Sequence, residues 1–394
     1  MMSARTDIDR LSNLPEALRL HILGYLHAKL AVQTSVLSKT WVSLWTGIPV
    51  LKINYLDFGV DEVTTFDKFV TNVLCRRDSL AKLDRLKFVN GTKDKLNIVF
   101  KYAFLHGVKH LEAWIQKVHV DDSETTWPVY LCDTLRSLKL QCDDGQMRFR
   151  SLVSESILFK NLKVLYLTHA LITEVDPFSG FPVLKSLTLI QCNFRNESES
   201  LKVHALQLTD LTILGFNFLT SQIHKCELTT PRLRFLKYVG PFFSIGHDQG
   251  LSVLETLDIG HYGFQVSRSM LEHEKERGKE KRLFDDMLSF FCRLRSVKSL
   301  TLSSIIIHIL FLFPDELVKR CSPFWELEDL KFDLGNHTCS VNPSWLQSPS
   351  RESFEFVKAY LLKNSPDVKF RVTDPKSLEG KCMVSSICYE HRNL

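Results

Sequence analysis

The sequence predicts an α/β protein: three short N-terminal helices, then an irregular solenoid of stacked repeats, a curved parallel sheet with helices and loops on its convex side. Two observations carry that expectation. Segments of the form LxxLxL recur along most of the chain, and the stretch before them, Asp9 to Trp45, carries its apolar residues at helical spacing instead. The segments are LRSLKL at Leu135, LKVLYL at Leu162, LKSLTL at Leu184, LTDLTI at Leu208, LRFLKY at Leu233, LETLDI at Leu254, VKSLTL at Val297 and LEDLKF at Leu327. Their starts lie mostly about 21 to 30 residues apart, a spacing at which each repeat supplies one strand. Such a strand turns its apolar positions to one side, cannot bury them alone, and stacks on its neighbours. Another parallel α/β fold would share the strands, but no glycine-rich phosphate loop supports it. A chain of 394 residues exceeds the usual single domain, which also favours a repeat array or several units.

Taken in order, Asn13 can cap a first helix, Pro15 suits its first turn, and Leu14, Leu18, Ile22 and Leu26 repeat on one face. A second run, Leu30 to Leu37, offers Leu30, Ala31, Thr34 and Leu37. Ser38 then supplies a cap for a third, with Trp41, Leu44 and Trp45 on one side. Three helices of this length cannot bury all these groups, so the excess docks on the rest of the chain or on another protein.

Leu14-Pro15, Ile22-Leu23, Leu26, the Val36-Leu37-Ser38-Lys39 run and Trp41 with Leu44-Trp45 resemble an F-box, the helical module that binds the Skp adaptor of cullin-RING ubiquitin ligases. The resemblance implies that residues 7–49 form that module and that Leu14, Pro15, Leu18, Ile22, Leu26, Val36, Leu37, Trp41 and Trp45 contact the adaptor.

Beyond it, Val50 to Phe58 alternates like a strand and Phe66, Phe69, Val70, Val73 and Leu74 recur at helical spacing. LDRLKF at Leu83, a helical stretch from Leu96 to Leu105 and VKHLEAWI at Val108 repeat the logic. Cys192 occupies the place where the repeat pattern has Asn or Cys, while Asp143, Ala170, Tyr262 and Gly335 fill it elsewhere, so the ladder is expected to be uneven. The solenoid is assigned to residues 50–342. Between Leu254 and Val297 the spacing nearly doubles around a charged insertion near 268–283, EHEKERGKEKR, read as a solvated loop or helix extension. Leu283, Phe284, Met287, Leu288 and Phe291 then predict an amphipathic helix. Residues 343–394 are expected to cap the array: a loop at PSWLQSP, a helix over Ser353–Leu362, a strand over 368–372 and a tail. FEFVKAYLLKNSP also resembles part of a C-terminal module of many plant F-box/leucine-rich-repeat proteins.

Hydrophobic residues at 44% and charged residues at 24% describe an ordinary globular chain, and a net charge of +5 is too small over this length to indicate a nucleic-acid binder. The N-terminus lacks an apolar signal segment and the longest apolar run, Ser304 to Pro314, is too short for a bilayer, so no membrane association and a nuclear and/or cytoplasmic location are expected. Ten scattered cysteines without a CxxC pair fit reduced thiols. Cys382, Cys388 and His391 lack a fourth ligand, so neither metal nor cofactor is expected. No nucleophile with a base in reach, and no phosphate cradle, indicates catalysis.

The informative surface is the open face of the sheet. The fifth repeat position reads Lys139, Tyr166, Thr188, Thr212, Lys237 and Asp258, then Thr301 and Lys331. The second reads Arg136, Lys163, Lys185, Thr209, Arg234, Glu255, Lys298 and Glu328, a basic edge along the middle repeats. Either an acidic protein segment docks there or these are ordinary solvated lysines. Together the module and the array resemble plant-type F-box/leucine-rich-repeat proteins. That implies a non-catalytic substrate-recognition subunit of a Skp-cullin-F-box ubiquitin ligase, in which the F-box binds the adaptor and the repeats bind an unknown target. The alternatives are a binding scaffold without ubiquitin transfer and, more weakly, a ligand sensor.

Overall fold

The computed structural model describes residues 10–59, 62–91, 93–115, 133–143, 148–149, 159–195, 200–215, 217–218, 225–240, 244–245, 251–260, 273–334, 351–365 and 367–373. Two compact units divide the chain, residues 1–171 and 172–394, so the break falls among the repeats.

The first unit begins with α1 (Glu16–Leu23) and α2 (Ala28–Gln33). Pro15, with φ −49°, occupies the position before α1, and no side chain caps it, so Asn13 is not the cap that the sequence suggested. The chain then makes a 3-10 turn at Thr34–Val36 and a second at Leu44–Gly47. A third α-helix after Ser38 is therefore replaced by turns. Hydroxyls compete for the backbone there: Thr46 donates to the Ser43 carbonyl at 2.7 Å and Ser35 to the Val42 carbonyl at 3.0 Å.

Among the described residues the main sheet then takes up, in parallel, β1 (Val50–Asn54), β2 (Arg85–Val89), β3 (His110–Ile115), β4 (Ser137–Cys142) and β5 (Val164–Thr168). Each pairs with the next in sequence order. A doubly wound sheet would reverse that order, whereas here the strands follow the chain throughout the unit. Helices α3 (Val63–Arg76) and α4 (Lys93–Leu105) make the first crossovers. Phe66 of α3 stacks on Phe88 of β2 with centroids 6.1 Å apart, and both are fully buried with Phe100 of α4.

The second unit continues with β6 (Ser186–Ile190), β7 (Asp210–Leu214), β8 (Phe235–Val239), β9 (Thr256–Gly260), β10 (Ser299–Ser303), β11 (Asp329–Asp333) and β12 (Lys369–Thr373), again parallel and in order. Its early crossovers carry strands where the sequence reading placed helices and loops: Ser200–His204 pairs with Lys225–Thr229, which pairs at its start with Ser244–Ile245. Val203 and Leu228 alternate with polar residues, a period of two that favours strands there.

Four helices follow in the later part, α5 (His273–Phe291), α6 (Ser304–Phe311), α7 (Pro314–Val318) and α8 (Arg351–Leu361). The charged insertion thus continues into a helix whose Phe284, Met287, Leu288 and Phe291 are buried as expected, and residues 261–272 lie outside the described part. The Ser304–Pro314 apolar run becomes α6, with Ile306, Ile307, Ile309 and Leu310 inside. Lys281 of α5 pairs with Glu316 of α7. The C-terminal helix and strand also form, with β12 pairing along β11. The predicted 343–349 loop, Tyr262, Gly335, the tail with Cys382, Cys388 and His391, and most of the link to α8 lie outside the described residues.

The strand ends show how the repeats close. Asn90, His169, Gln191 and Gly215 each follow a strand with φ between 49° and 69°. The N–H of Gln191 donates to Leu214 O at 2.6 Å and that of Gly215 to Val239 O at 2.8 Å, carrying the ladder one residue beyond the strands. At Gly215 a side chain would place its Cβ 2.8 Å from Gln191 Cγ, so both the turn and the space favour glycine. In the next position Ala170 and Cys192 are buried, whereas Asp143 is exposed and accepts from Trp114 Nε1 at 2.8 Å. The strand there is one residue longer, and Cys142 takes the interior place.

Burial separates the thiols. Cys142, Cys192 and Cys226 are buried and Cys75, Cys292 and Cys321 exposed. Complete burial, then the neighbouring Glu227 charge, pushes the Cys226 thiol up to about 12. Brief iodoacetamide treatment of the native protein, read by peptide mass spectrometry, is expected to alkylate the exposed three and spare Cys226. Labelling of Cys226 at a comparable rate would show that its strand opens.

Candidate functional site

The N-terminal helices form a small core of Leu23, Ala28, Ala31, Trp41, Leu44, Trp45 and Ile48. Trp41 is 3% exposed and Trp45 9%, so these two proposed contact residues belong to the interior. Trp41 also explains the Ser38-x-x-Trp41 spacing. Its Nε1 donates to Ser12 Oγ at 2.9 Å, Ser12 and Ser38 hydroxyls meet at 3.2 Å, and Arg19 Nη1 reaches the Thr40 carbonyl at 3.1 Å. The entry to α1 is thereby tied to the chain after α2.

The other sequence-selected residues lie outward to different degrees. Leu14 and Leu26 are half-buried, Pro15 and Ile22 exposed, Leu18 is 49% exposed, Leu37 62% and Val36 87%. Leu18, Ile22 and Tyr25 follow one another at helical steps, although Tyr25 lies just past the end of α1. Leu11, Tyr25, Leu30 and Val42 are exposed too and were not among the contact residues chosen from the sequence, although each is an apolar residue within the same stretch. Ala28 and Ala31, rather than Leu30 and Leu37, form the inward side of the second run. So many exposed apolar groups on so few residues exceed the singly scattered ones of an ordinary soluble surface.

The module is fastened to the first repeat. His27 Nδ1 lies 2.8 Å from Asp57 Oδ1, and Lys29 Nζ donates to the Asp57 carbonyl at 2.6 Å while standing 4.4 Å over the Phe58 ring. Arg77, 5% exposed, donates to the carbonyls of Ile48 at 2.6 Å, Ala81 at 3.1 Å and Lys82 at 3.1 Å. A buried guanidinium on three carbonyls holds the exit of the module against the turn into β2.

The open sheet face is the second surface. In the first unit Lys139 stands beside Tyr166 in register, and in the second Thr188, Thr212, Lys237 and Asp258 stand side by side, followed by Thr301 and Lys331. Every one is half-buried between fully buried neighbours, as a period of two demands. The row begins earlier than the sequence reading placed it, with Lys52, Lys87 and Glu112. The same fifth position in the segments at Leu83 and Val108 identifies the last two. Among the described residues no helix is long and apolar enough to cross a membrane, and no group of three His, Cys, Asp or Glu side chains could hold a metal ion.

An N-terminal helical module with an apolar surface, joined to parallel strands of a leucine repeat, is the class that the geometry defines. Residues 11–52 match the F-box domain family. The chain is 28% identical over 375 residues to an FBD-associated F-box protein of Arabidopsis thaliana, covering 87% of this chain and 75% of the relative. It is 32% identical over 251 residues to an F-box/LRR-repeat protein of the same plant, 59% of this chain and 51% of the relative, and 30% identical over 217 residues to an F-box/FBD/LRR-repeat protein, 53% and 46%. These last two matches span about half the length of the relatives. The domain match and the relatives together support a plant-type F-box/leucine-rich-repeat protein.

Proposed function

We propose that the chain is the substrate-recognition subunit of a Skp-cullin-F-box ubiquitin ligase. Its F-box binds a Skp-type adaptor, and through it a cullin-RING assembly, while the repeats bind a target protein. The reading rests above all on the exposed Leu18, Ile22, Val36 and Leu37 within residues that match the F-box domain. The contact set narrows to Leu14, Pro15, Leu18, Ile22, Leu26, Val36 and Leu37, with Trp41 and Trp45 supporting them from beneath. Residues 7–49, 50–342 and 343–394 act as ligase connector, target-binding solenoid and cap. The chain supplies no catalytic residue or cofactor: holding a target lysine near a charged ubiquitin-conjugating enzyme raises effective concentration. Neither nucleic acid nor membrane enters this reading, and the site of action is the nucleus and/or cytoplasm.

The test is capture of purified Skp adaptor, followed by ubiquitin transfer to targets trapped on the repeats. The unsubstituted chain is expected to do both, and the Leu14→Ala, Pro15→Ala double variant to lose adaptor capture while keeping its folded repeats. Adaptor capture without transfer to any trapped target would favour a non-degradative scaffold.

A further inference from the structure

The open faces of the two units differ in charge balance. In the second, Lys237 meets Asp258 at 2.6 Å, Lys331 meets Asp333 at 3.6 Å and Arg371 pairs with Asp329. The fifth-position lysines on that face are answered from within, so the middle repeats do not offer them to an acidic partner as the sequence suggested.

The first unit is different. One row across its face reads Lys52, Lys87, Glu112, Lys139 and Tyr166, and the row beside it Val50, Arg85, His110, Ser137 and Val164. Glu112 is shared by Lys87 at 3.4 Å and Lys139 at 3.6 Å, and Asp84 serves Lys109 at 2.7 Å. Lys52 Nζ has a neutral acceptor, the Tyr25 carbonyl, at 3.2 Å. Arg85, and Arg136 and Lys163 at the exposed strand entries, form no ion pair among the described residues. Crowding is felt: Lys52 is held below the usual lysine value by burial and then by Lys87 and Arg85, and His110 below the usual histidine value by burial and then by Arg85.

We propose that the open face of β1 to β4 binds an acidic polypeptide segment, whose carboxylates answer Lys52, Arg85, Lys87 and Arg136. The proposal rests on the reading of the repeats as a target-binding surface and names the chemistry of that target. Opposite charge on the ligand relieves the repulsion among these cations. A polynucleotide fits less well. Its phosphates need a continuous cationic track, which Glu112 and Asp84 interrupt, and its bases need open aromatic faces. Here Lys139 Nζ stands 4.8 Å over the Tyr166 ring. A polypeptide places a neutral residue opposite Glu112 and carboxylates on either side.

The experiment uses the full chain and two fluorescein-labelled probes, a peptide of alternating Glu and Ser and an oligothymidine of equal formal charge, with binding followed by anisotropy. The peptide is expected to bind in a salt-sensitive manner, and Arg85→Glu with Lys87→Glu to weaken it at least about tenfold. Lys331→Glu on the second unit is expected to change it by less than about twofold. The milder Arg85→Gln, Lys87→Gln pair should weaken binding by an intermediate factor, with an unchanged melting curve showing that the sheet is intact. No peptide binding by the unsubstituted chain, equal loss in Lys331→Glu, or tighter binding of the oligothymidine overturns the proposal. Adaptor capture, measured alongside, is a separate readout: a chain that binds the peptide but not the adaptor overturns the ligase reading and leaves the acidic-ligand face standing.

Discussion

Replacing Arg77 by methionine is expected to destabilise the first unit by roughly 2 to 4 kcal/mol, because buried carbonyls left without their donor cost about 1 to 3 kcal/mol. The methionine fills much of the volume, so the loss is chiefly electrostatic. The carbonyls of Ile48, Ala81 and Lys82 each lose a donor, and Ile48 O sits where the helical module ends. Chemical denaturation followed by tryptophan fluorescence reads the effect, since Trp41 and Trp45 lie in that module. The unfolding midpoint should fall, and the module should loosen at or before the point where the first strands do. A midpoint within experimental error of the unsubstituted chain would mean that the carbonyls find water and that Arg77 is not the clasp its geometry describes.

The second large effect separates core from surface within the F-box. Trp41→Ala is expected to cost roughly 3 to 5 kcal/mol, because a large buried ring is lost and its hydrogen bond to Ser12 with it. Val36→Asp with Leu37→Asp is expected to leave the melting temperature nearly unchanged, since both side chains already face solvent, and yet to abolish adaptor capture. The pair of measurements is diagnostic. If the aspartate variant captures adaptor as well as the unsubstituted chain, the exposed apolar residues serve something else. If it unfolds, they are not a surface at all.

Much of the sheet was legible because the repeat writes its own register. An LxxLxL strand alternates inward and outward residues, and a one-residue slip would expose its leucines, so Leu138 and Leu140 fall in line with Leu165 and Leu167. The fifth-position residues chosen from the repeats accordingly stand next to one another. Less legible were the crossovers. A short run such as SLKVH carries too little period to separate strand from loop, and the Ser304 isoleucine run reads as apolar without declaring its helix. The third F-box helix failed for a local reason, since the Ser35 and Thr46 hydroxyls compete for the Val42 and Ser43 carbonyls.

The sequence by itself determined that the chain has an F-box-like N-terminus and a stack of parallel strands, because motif and periodicity are local properties. Only the tertiary structure decided that Trp41 and Trp45 are core while Val36 and Leu37 are surface, since burial depends on what packs over a helix. It alone decided, too, that among the described residues Lys237 has Asp258 to itself while Lys87 and Lys139 share the carboxylate of Glu112. Charges that meet across strands belong to different repeats, and it is the pairing of those strands that brings them within reach.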